Sequence, residues 1–399
     1  MLKLSISFSI ATALLTILCL SPKHNLTPTI LAQSKNQSKP ITDCSQIDPS
    51  YDRVAEATGG FVFPKSVDDY PKDTISIELM GGGLAQLLFV KDTLAGADKQ
   101  YPIPVDSTVE RLYVMLTCAK ELTIKRPDGS TVKESQAGVR INKLSISVLA
   151  AIDRPEPGNW TFIVSGGSRL SLRVLGRSNL NFEDFNFVEL MGSPGHEGYS
   201  KTNSDPIQGK LGAVIARTSV EQIKSAQFDL RKFDGGVLQK LGAKETPDQK
   251  MPVSREFFAK LIVPAPPFLA YVTGVNSKGE LFQRLHPQVV FPQVIQIIAP
   301  NPEIIKPGQS VELIFKIVNF GESGEFELSV TDTLNYIGEL QPQKIKLAKD
   351  ESREIKVRVT IPKQAEYMMM DDVIVALYST RNSESGNSAS VQIGVDRKQ

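Results

Sequence analysis

Histidine is scarce in this 399-residue chain, and that scarcity limits the chemistry its side chains can perform. Beyond His24 near the N-terminus, only His196 and His286 are present, about 90 residues apart. A Ser–His–Asp site would need one of them as its base, and no Gly-x-Ser-x-Gly turn offers a nucleophile. His196-Glu-Gly-Tyr-Ser200 lacks the second histidine of a zinc-binding helix, and its glycine works against a helix. Both histidines therefore read as surface-loop residues. Gly81-Gly-Gly83 is a lone glycine run without a phosphate-binding motif around it, so it reads as a turn or hinge. No catalytic, cofactor-binding or metal-ligating residue is assigned, and enzyme activity is not expected.

Two acidic pairs could offer oxygens to calcium: Asp153 with Glu156, and Asp371 with Asp372. Calcium takes roughly six to eight oxygen ligands, and no dense Asp/Asn array supplies them, so solvated loop charges are expected at both places. Met368-Met-Met370 is expected to pack in a core or at an edge, the alternative being a soft exposed patch for a partner. Asn159-Trp-Thr161 is a glycosylation sequon, and Trp160, the single tryptophan, is the expected core anchor of a β-sandwich. Of the three cysteines, Cys19 falls in the apolar N-terminal stretch, leaving Cys44 and Cys118. Two cysteines in an oxidising compartment suit a disulfide, which would stabilise by roughly 4 kcal/mol through loop closure. Alternatively Cys118 is a buried small apolar residue, in phase with Leu112, Val114 and Leu116.

Lys3, the apolar Leu4–Leu20 and the small-residue end Ile30-Leu-Ala32 have the layout of a signal peptide over residues 1–32, with an uncleaved anchor as the alternative. No later segment reaches about 18 apolar residues, so no membrane span is expected after signal removal. The chain is then secreted, or held in the periplasm or cell envelope. Lys and Arg number 45 against 44 Asp and Glu, with no basic tract, so a nucleic-acid partner is not expected.

Residues 33–50 read as a linker. Tyr51–Gly60 reads as a short helix stopped by a double glycine, followed by a strand at Phe61-Val-Phe63. From Thr74 onward alternation dominates, beginning with Ile75/Ile77/Leu79. Trp160/Phe162/Val164 and Leu170/Leu172/Val174 flank the Ser165–Ser168 turn and read as a hairpin with one buried face. A second set of strands spans Gly209–Leu285, and a third alternates from Val311 to Val395. The expectation is an all-β protein of three β-sandwiches in series, with a short helical segment near the mature N-terminus. Their bounds are 85–187, 188–287 and 288–399, the last immunoglobulin-like but without the Cys…Trp…Cys hallmark.

Tyr51-Asp-Arg-Val-Ala-Glu-Ala-Thr-Gly-Gly-Phe-Val-Phe63 resembles the end of a von Willebrand factor A domain. Pro104-Val-Asp-Ser-Thr-Val109, Leu122-Thr-Ile-Lys-Arg-Pro-Asp-Gly129, Pro155-Glu-Pro-Gly-Asn-Trp-Thr161 and Leu172-Arg-Val-Leu-Gly176 follow in the order seen after the A domain in hemicentin-like proteins. The resemblance implies that 85–187 is a galactose-binding-like sandwich and 51–84 an A-domain remnant. The metal-binding Asp-x-Ser-x-Ser of that family is missing, so its metal-dependent adhesion is not carried over.

The expected function is a non-enzymatic binding, adhesion or spacer role outside the cell or in its envelope, with a protein or glycan ligand. The alternative is an accessory module serving a carbohydrate-active or proteolytic partner enzyme.

Overall fold

A computed structural model describes residues 29–30, 44–79, 83–167, 169–191, 195–219, 223–245, 254–338, 343–382 and 385–396. The fold is all-β, and among the described residues no helix is long and apolar enough to cross a membrane. The expected signal peptide lies outside the described residues except for Thr29–Ile30, which pairs in parallel with Phe61–Val62. The chain divides into two compact units. One comprises Met1–Phe185, Ile215–Ala259 and Phe268–Val290; the other comprises Asn186–Val214, Lys260–Pro267 and Phe291–Gln399.

The first unit is built on a nine-stranded antiparallel sheet. Its order is Val237–Gly242, Ile223–Arg231, Leu269–Asn276, Leu281–Leu285, Leu84–Thr93, Arg169–Ser178, Val109–Thr117, Ser147–Asp153 and Val139–Lys143. Strands from 85–187 and from 188–287 thus share one sheet, meeting where Leu285 pairs with Gln86. The boundary expected at 187/188 falls inside the strand Phe182–Met191.

A three-stranded sheet of Lys99–Val105, Gly158–Ser165 and Glu121–Lys125 covers one face. Here the expected hairpin is corrected. Gly158–Ser165 pairs with Lys99–Val105, whereas Arg169–Ser178 pairs with Leu84–Thr93 and Val109–Thr117, in the opposite sheet. Trp160, Phe162 and Val164 therefore meet Leu170, Leu172 and Val174 across the core, all nearly free of solvent contact. Alternation reports which face is apolar; it does not say whether two such strands lie side by side or face to face. The strand Lys99–Val105 holds Pro102 and Pro104, tolerated because it is an edge strand with one ladder to make.

The opposite face of the same central strands is also covered. Tyr113, Met115, Leu149, Ala151 and Leu175 pack against Phe61, Phe63, Ile75 and Leu79 from the segment 51–84. Residues 76–79 form a helical turn, not the expected strand. Asp73 Oδ1 accepts hydrogen bonds from the amides of Ile75 (3.0 Å) and Ser76 (2.9 Å), which nucleates the turn. The turn exposes Ile77 and brings Glu78 to Arg140 (2.6 Å), Arg111 (2.9 Å) and the Tyr113 hydroxyl (2.9 Å). Those hydrogen bonds, Arg140's first, outweigh burial and hold Glu78 down at about 2.

Arg284 is an almost fully enclosed charge of this unit, as is Asp106 beside it. Nε donates to Leu180 O (2.7 Å) and Nη1 to Gln283 O (2.8 Å), and Nη1 forms an ion pair with Asp106 Oδ2 (2.8 Å). Nη2 donates to Thr108 Oγ1 (2.9 Å) and Ser178 Oγ (3.0 Å).

The second unit carries an immunoglobulin-like sandwich. Ile295–Ile298, Ser310–Asn319 and Ser352–Thr360 form one sheet. The other is Glu303–Ile305, Gly386–Val395, Met370–Ser379, Gly324–Asp332 and Gln343–Leu347, with Glu303–Ile305 parallel to its neighbour. Phe315, Ile317, Val357 and Val359 pack on Val373, Val375, Leu377 and Ile393 between them.

Trp160→Ala should destabilise the first unit by roughly 3–5 kcal/mol, as for other buried aromatics. Chemical denaturation followed by circular dichroism measures this, and an unchanged midpoint would refute the packing. Acid should act through Glu78, whose folded value lies below its ordinary 4.5. Its contribution is complete above about pH 4.5 and is lost as pH falls toward 2. Melting of Glu78→Gln should therefore fall less steeply than wild type below pH 5.

Candidate functional site

Cys44 lies in the 3-10 turn Cys44–Gln46, and Cys118 follows the strand Val109–Thr117. They are disulfide-bonded, with Cα atoms 5.6 Å apart across 74 residues of sequence. Cys118 is not in the inward phase of Leu112–Leu116, because the strand ends at Thr117 and Cys118 takes a left-handed φ of 72°. That turns it out of the ladder toward Cys44. The crossing is tight: a Cβ at Gly167 would sit 2.9 Å from the Cys118 carbonyl oxygen, and Gly167 itself has φ +106°.

Beside the bridge lies a cleft of about 430 Å³. One wall is the helix Pro49–Thr58, capped by Asp48, whose Oδ1 accepts from Ser50 N at 2.8 Å, and closed by Gly59 in the left-handed conformation. Asp52 and Glu56, one helical turn apart, both reach Lys91, with Asp52 at 2.9 Å. The other wall is the paired ends of the central strands Leu84–Thr93 and Arg169–Ser178, at Asp92, Thr93, Arg169 and Ser171. Asp92 accepts from Lys99 (2.6 Å) and the Tyr101 hydroxyl (2.9 Å). Burial opposes ionisation of Asp92, but those donors outweigh it and hold its pKa below the usual range.

Under the helix sits Arg173, 6% exposed, its guanidinium carbon 3.5 Å from the Phe89 ring centre. Nη1 donates to Gln86 Oε1 (3.2 Å), and Gln86 in turn donates to Gly59 O. Burial lowers its pKa to about 10, against the pull of Glu56 and Asp52. Sequence reading passed over Arg173 because alternation puts it opposite Leu172 and Val174, on a face that looked solvent-exposed. The helix that covers this face comes from more than 100 residues earlier.

Trp160 is elsewhere, fully buried in the sandwich core. Its indole N–H donates to Glu156 O (2.9 Å), and Arg126 lies 5.5 Å from the ring while pairing with Glu156 (2.9 Å). Asp153 pairs with Arg111, so the first acidic pair is engaged by arginines. Asp371 is corrected: it is buried, because it shares the inward phase of Val373, Val375 and Leu377. Its Oδ1 accepts from Thr333 N (3.0 Å) and Leu334 N (2.9 Å), while burial pushes its pKa up. His286 is corrected too. It is 8% exposed and packs against Phe182 and Phe185, whereas His196 is exposed. Met368, Met369 and Met370 are exposed rather than packed, at the turn where Met368 has φ 65°. Among the described residues, no group of three or more His, Cys, Asp or Glu side chains is placed to hold a metal ion.

Residues 86–179 match the family described as "Hemicentin galactose-binding domain-like", and residues 294–395 match the "VWA7 Ig-like domain". Mouse hemicentin-1 is 26% identical over 275 residues, covering 65% of this chain and 5% of that protein. Human hemicentin-1 is 26% identical over 245 residues, covering 59% and 4%. The chain thus spans about a twentieth of the length of these relatives. Among solved structures, trypsin-activated alpha-2-macroglobulin from Escherichia coli aligns over 79% of this chain and 24% of its own, at 10% identity and a TM-score of 0.22. Residues 86–179 are thus similar to a hemicentin-type galactose-binding-like domain, and residues 294–395 to an Ig-like one.

Replacing Cys44 and Cys118 together by alanine should destabilise the first unit by roughly 4 kcal/mol, the loop-closure value for a span of this length. The second unit should melt unchanged. Two free thiols from these residues in the unreduced, denatured protein would refute the bridge.

Proposed function

We propose that this chain is an exported, non-enzymatic protein of binding, adhesion or spacer type, acting outside the cell or in its envelope through a protein or glycan ligand. The observation that carries this reading is the pair of matches, a galactose-binding-like sandwich at 86–179 and an Ig-like sandwich at 294–395, on one chain. Lys3 and the apolar Leu4–Leu20 support export. Within this reading, residues 51–84 are the remnant of a von Willebrand factor A domain, retained because it covers the second face of the central strands. The three sandwich divisions at 85–187, 188–287 and 288–399 belong to the same proposal.

The cleft beside Cys44–Cys118 is the ligand site in this proposal. It is concave, partly apolar through Ile47, Val62 and Pro64, and edged by a few charged and hydroxyl groups, the usual make-up of a ligand site. The test immobilises the chain from Gln33 onward and exposes it to a glycan array and to extracellular protein fractions. Selective retention of one glycan class or one protein is expected, and Thr93→Trp at the cleft rim should reduce it at least tenfold. Retention of nothing overturns the function, and retention indifferent to Thr93→Trp removes the cleft from it.

A further inference from the structure

Two arginines of the first unit are almost fully buried, and they are treated differently. Arg284 makes four hydrogen bonds and an ion pair with the carboxylate of Asp106. Arg173 has one hydrogen bond, to Gln86, and lies over the Phe89 ring; Glu56 and Asp52 act on it only from beyond ion-pair distance, and no carboxylate among the described residues is closer. A buried charge without a carboxylate in contact is costly, so a site that keeps one is a candidate for taking that carboxylate from outside.

The space in front of Arg173 fits this role. A recess of about 20 Å³ is lined by Asp52, Val62, Lys91, Met115, Thr117, Ser171 and Arg173. It shares Asp52, Val62, Lys91, Thr117 and Ser171 with the larger cleft, from which it is an inward extension. Room of this size suits one small polar group. The charged residues lining it are Lys91 and Arg173 against Asp52, which leaves one positive charge over. Arg169, exposed at the cleft rim, has no ion pair among the described residues.

Building on the cleft as a ligand site, we infer that the recess takes a carboxylate, and that the cleft takes the C-terminal end of a peptide with an aliphatic last residue. The carboxylate lies on the Arg173 guanidinium and the Thr117 and Ser171 hydroxyls, where charge-assisted hydrogen bonds are strongest. The aliphatic side chain lies on Ile47, Val62 and Pro64. Among the described residues no aromatic side chain lines the cleft, so a sugar ring finds no flat face there to stack on. A terminal carboxylate has its own side chain one carbon away, so one residue fills both recess and apolar wall. An internal Asp would have to pass two arms of chain through the same mouth. Capture of chain-terminal carboxylates is an established mode of peptide recognition.

The test uses the whole chain from Gln33 and four probes in calorimetric titration: acetyl-Ala-Ala-Val as free acid, the same peptide as its amide, acetyl-Ala-Asp-Ala amide, and glucuronate. Only the free acid should bind well, with amidation or Arg173→Gln weakening it at least tenfold. Arg173→Gln disturbs a packed residue, so Thr117→Val provides a shape-preserving check, with an expected loss of about three- to tenfold, one hydrogen bond's worth. Equal binding of acid and amide overturns the carboxylate assignment, as does failure of every probe to bind. Preference for glucuronate makes the occupant an acidic glycan, and preference for the Asp peptide makes it an internal acid; either overturns the terminal reading. If the immobilised chain still retains its extracellular ligand, and Thr93→Trp still abolishes that retention, these failures fall on the recess alone.

Discussion

The constraint on which the first unit depends is that its central strands are apolar on both faces. In Val109–Thr117, Leu112, Val114 and Leu116 enter the sandwich core while Tyr113 and Met115 enter a second cluster. A two-layer sandwich can bury only one of these faces. The other must be covered by chain from outside the sandwich, and Phe61, Phe63, Ile75 and Leu79 provide that cover. The segment 51–84 is thus structurally obligatory to the sandwich, whatever its ancestry. Loss of this cover would expose a contiguous apolar surface of the kind that drives association.

Holding a segment of short helices and loops on a sheet requires more than apolar contact, because ordering its backbone costs on the order of 1–2 kcal/mol per residue. Polar ties are distributed along it. Cys44 is bonded to Cys118 at its start, and Asp69 accepts from Ser66 N and from both Ser145 N and Oγ in its middle. Lys65 pairs with Asp73, both shielded from water, and Glu78 closes the segment on Arg111 and Arg140. The carboxylates at Asp69, Asp73 and Glu78 are all held below their usual range, even where burial pushes the other way. The cover is therefore bound most firmly near neutral pH.

The cleft is a consequence of how this cover meets the sheet. The helix Pro49–Thr58 arches over Arg173 and Lys91 without filling the space in front of them. Elsewhere the unit satisfies its buried charge internally, as at Arg284 with Asp106, Thr108, Ser178, Leu180 and Gln283. The contrast between these two arginines, in one unit and at similar burial, is the physical basis for assigning a ligand role to one and a structural role to the other. Neither assignment requires reactive side chains, in keeping with a protein whose matched regions are β-sandwich modules.

The amino-acid sequence by itself determined the all-β class, the inward phase of strands such as Leu112–Leu116 and Val373–Leu377, and the core position of Trp160, because period-2 alternation records which face is buried. The glycine that stops the helix at Gly59 was legible for a similar local reason: a left-handed cap favours a residue without a Cβ. What only the tertiary structure decided was which strands pair and what covers their second face. Gly158–Ser165 and Arg169–Ser178 are consecutive yet lie in opposite sheets, and strands as distant as Leu84–Thr93 and Leu281–Leu285 are neighbours. Ile75 to Leu79 alternated like a strand, but Asp73 capped the backbone into a turn. Arg173 and Lys91 looked like solvated positions until a helix from a remote part of the chain lay over them. Such contacts carry no local signal, since a strand's pattern is the same whether its polar-looking face meets water or another piece of the chain.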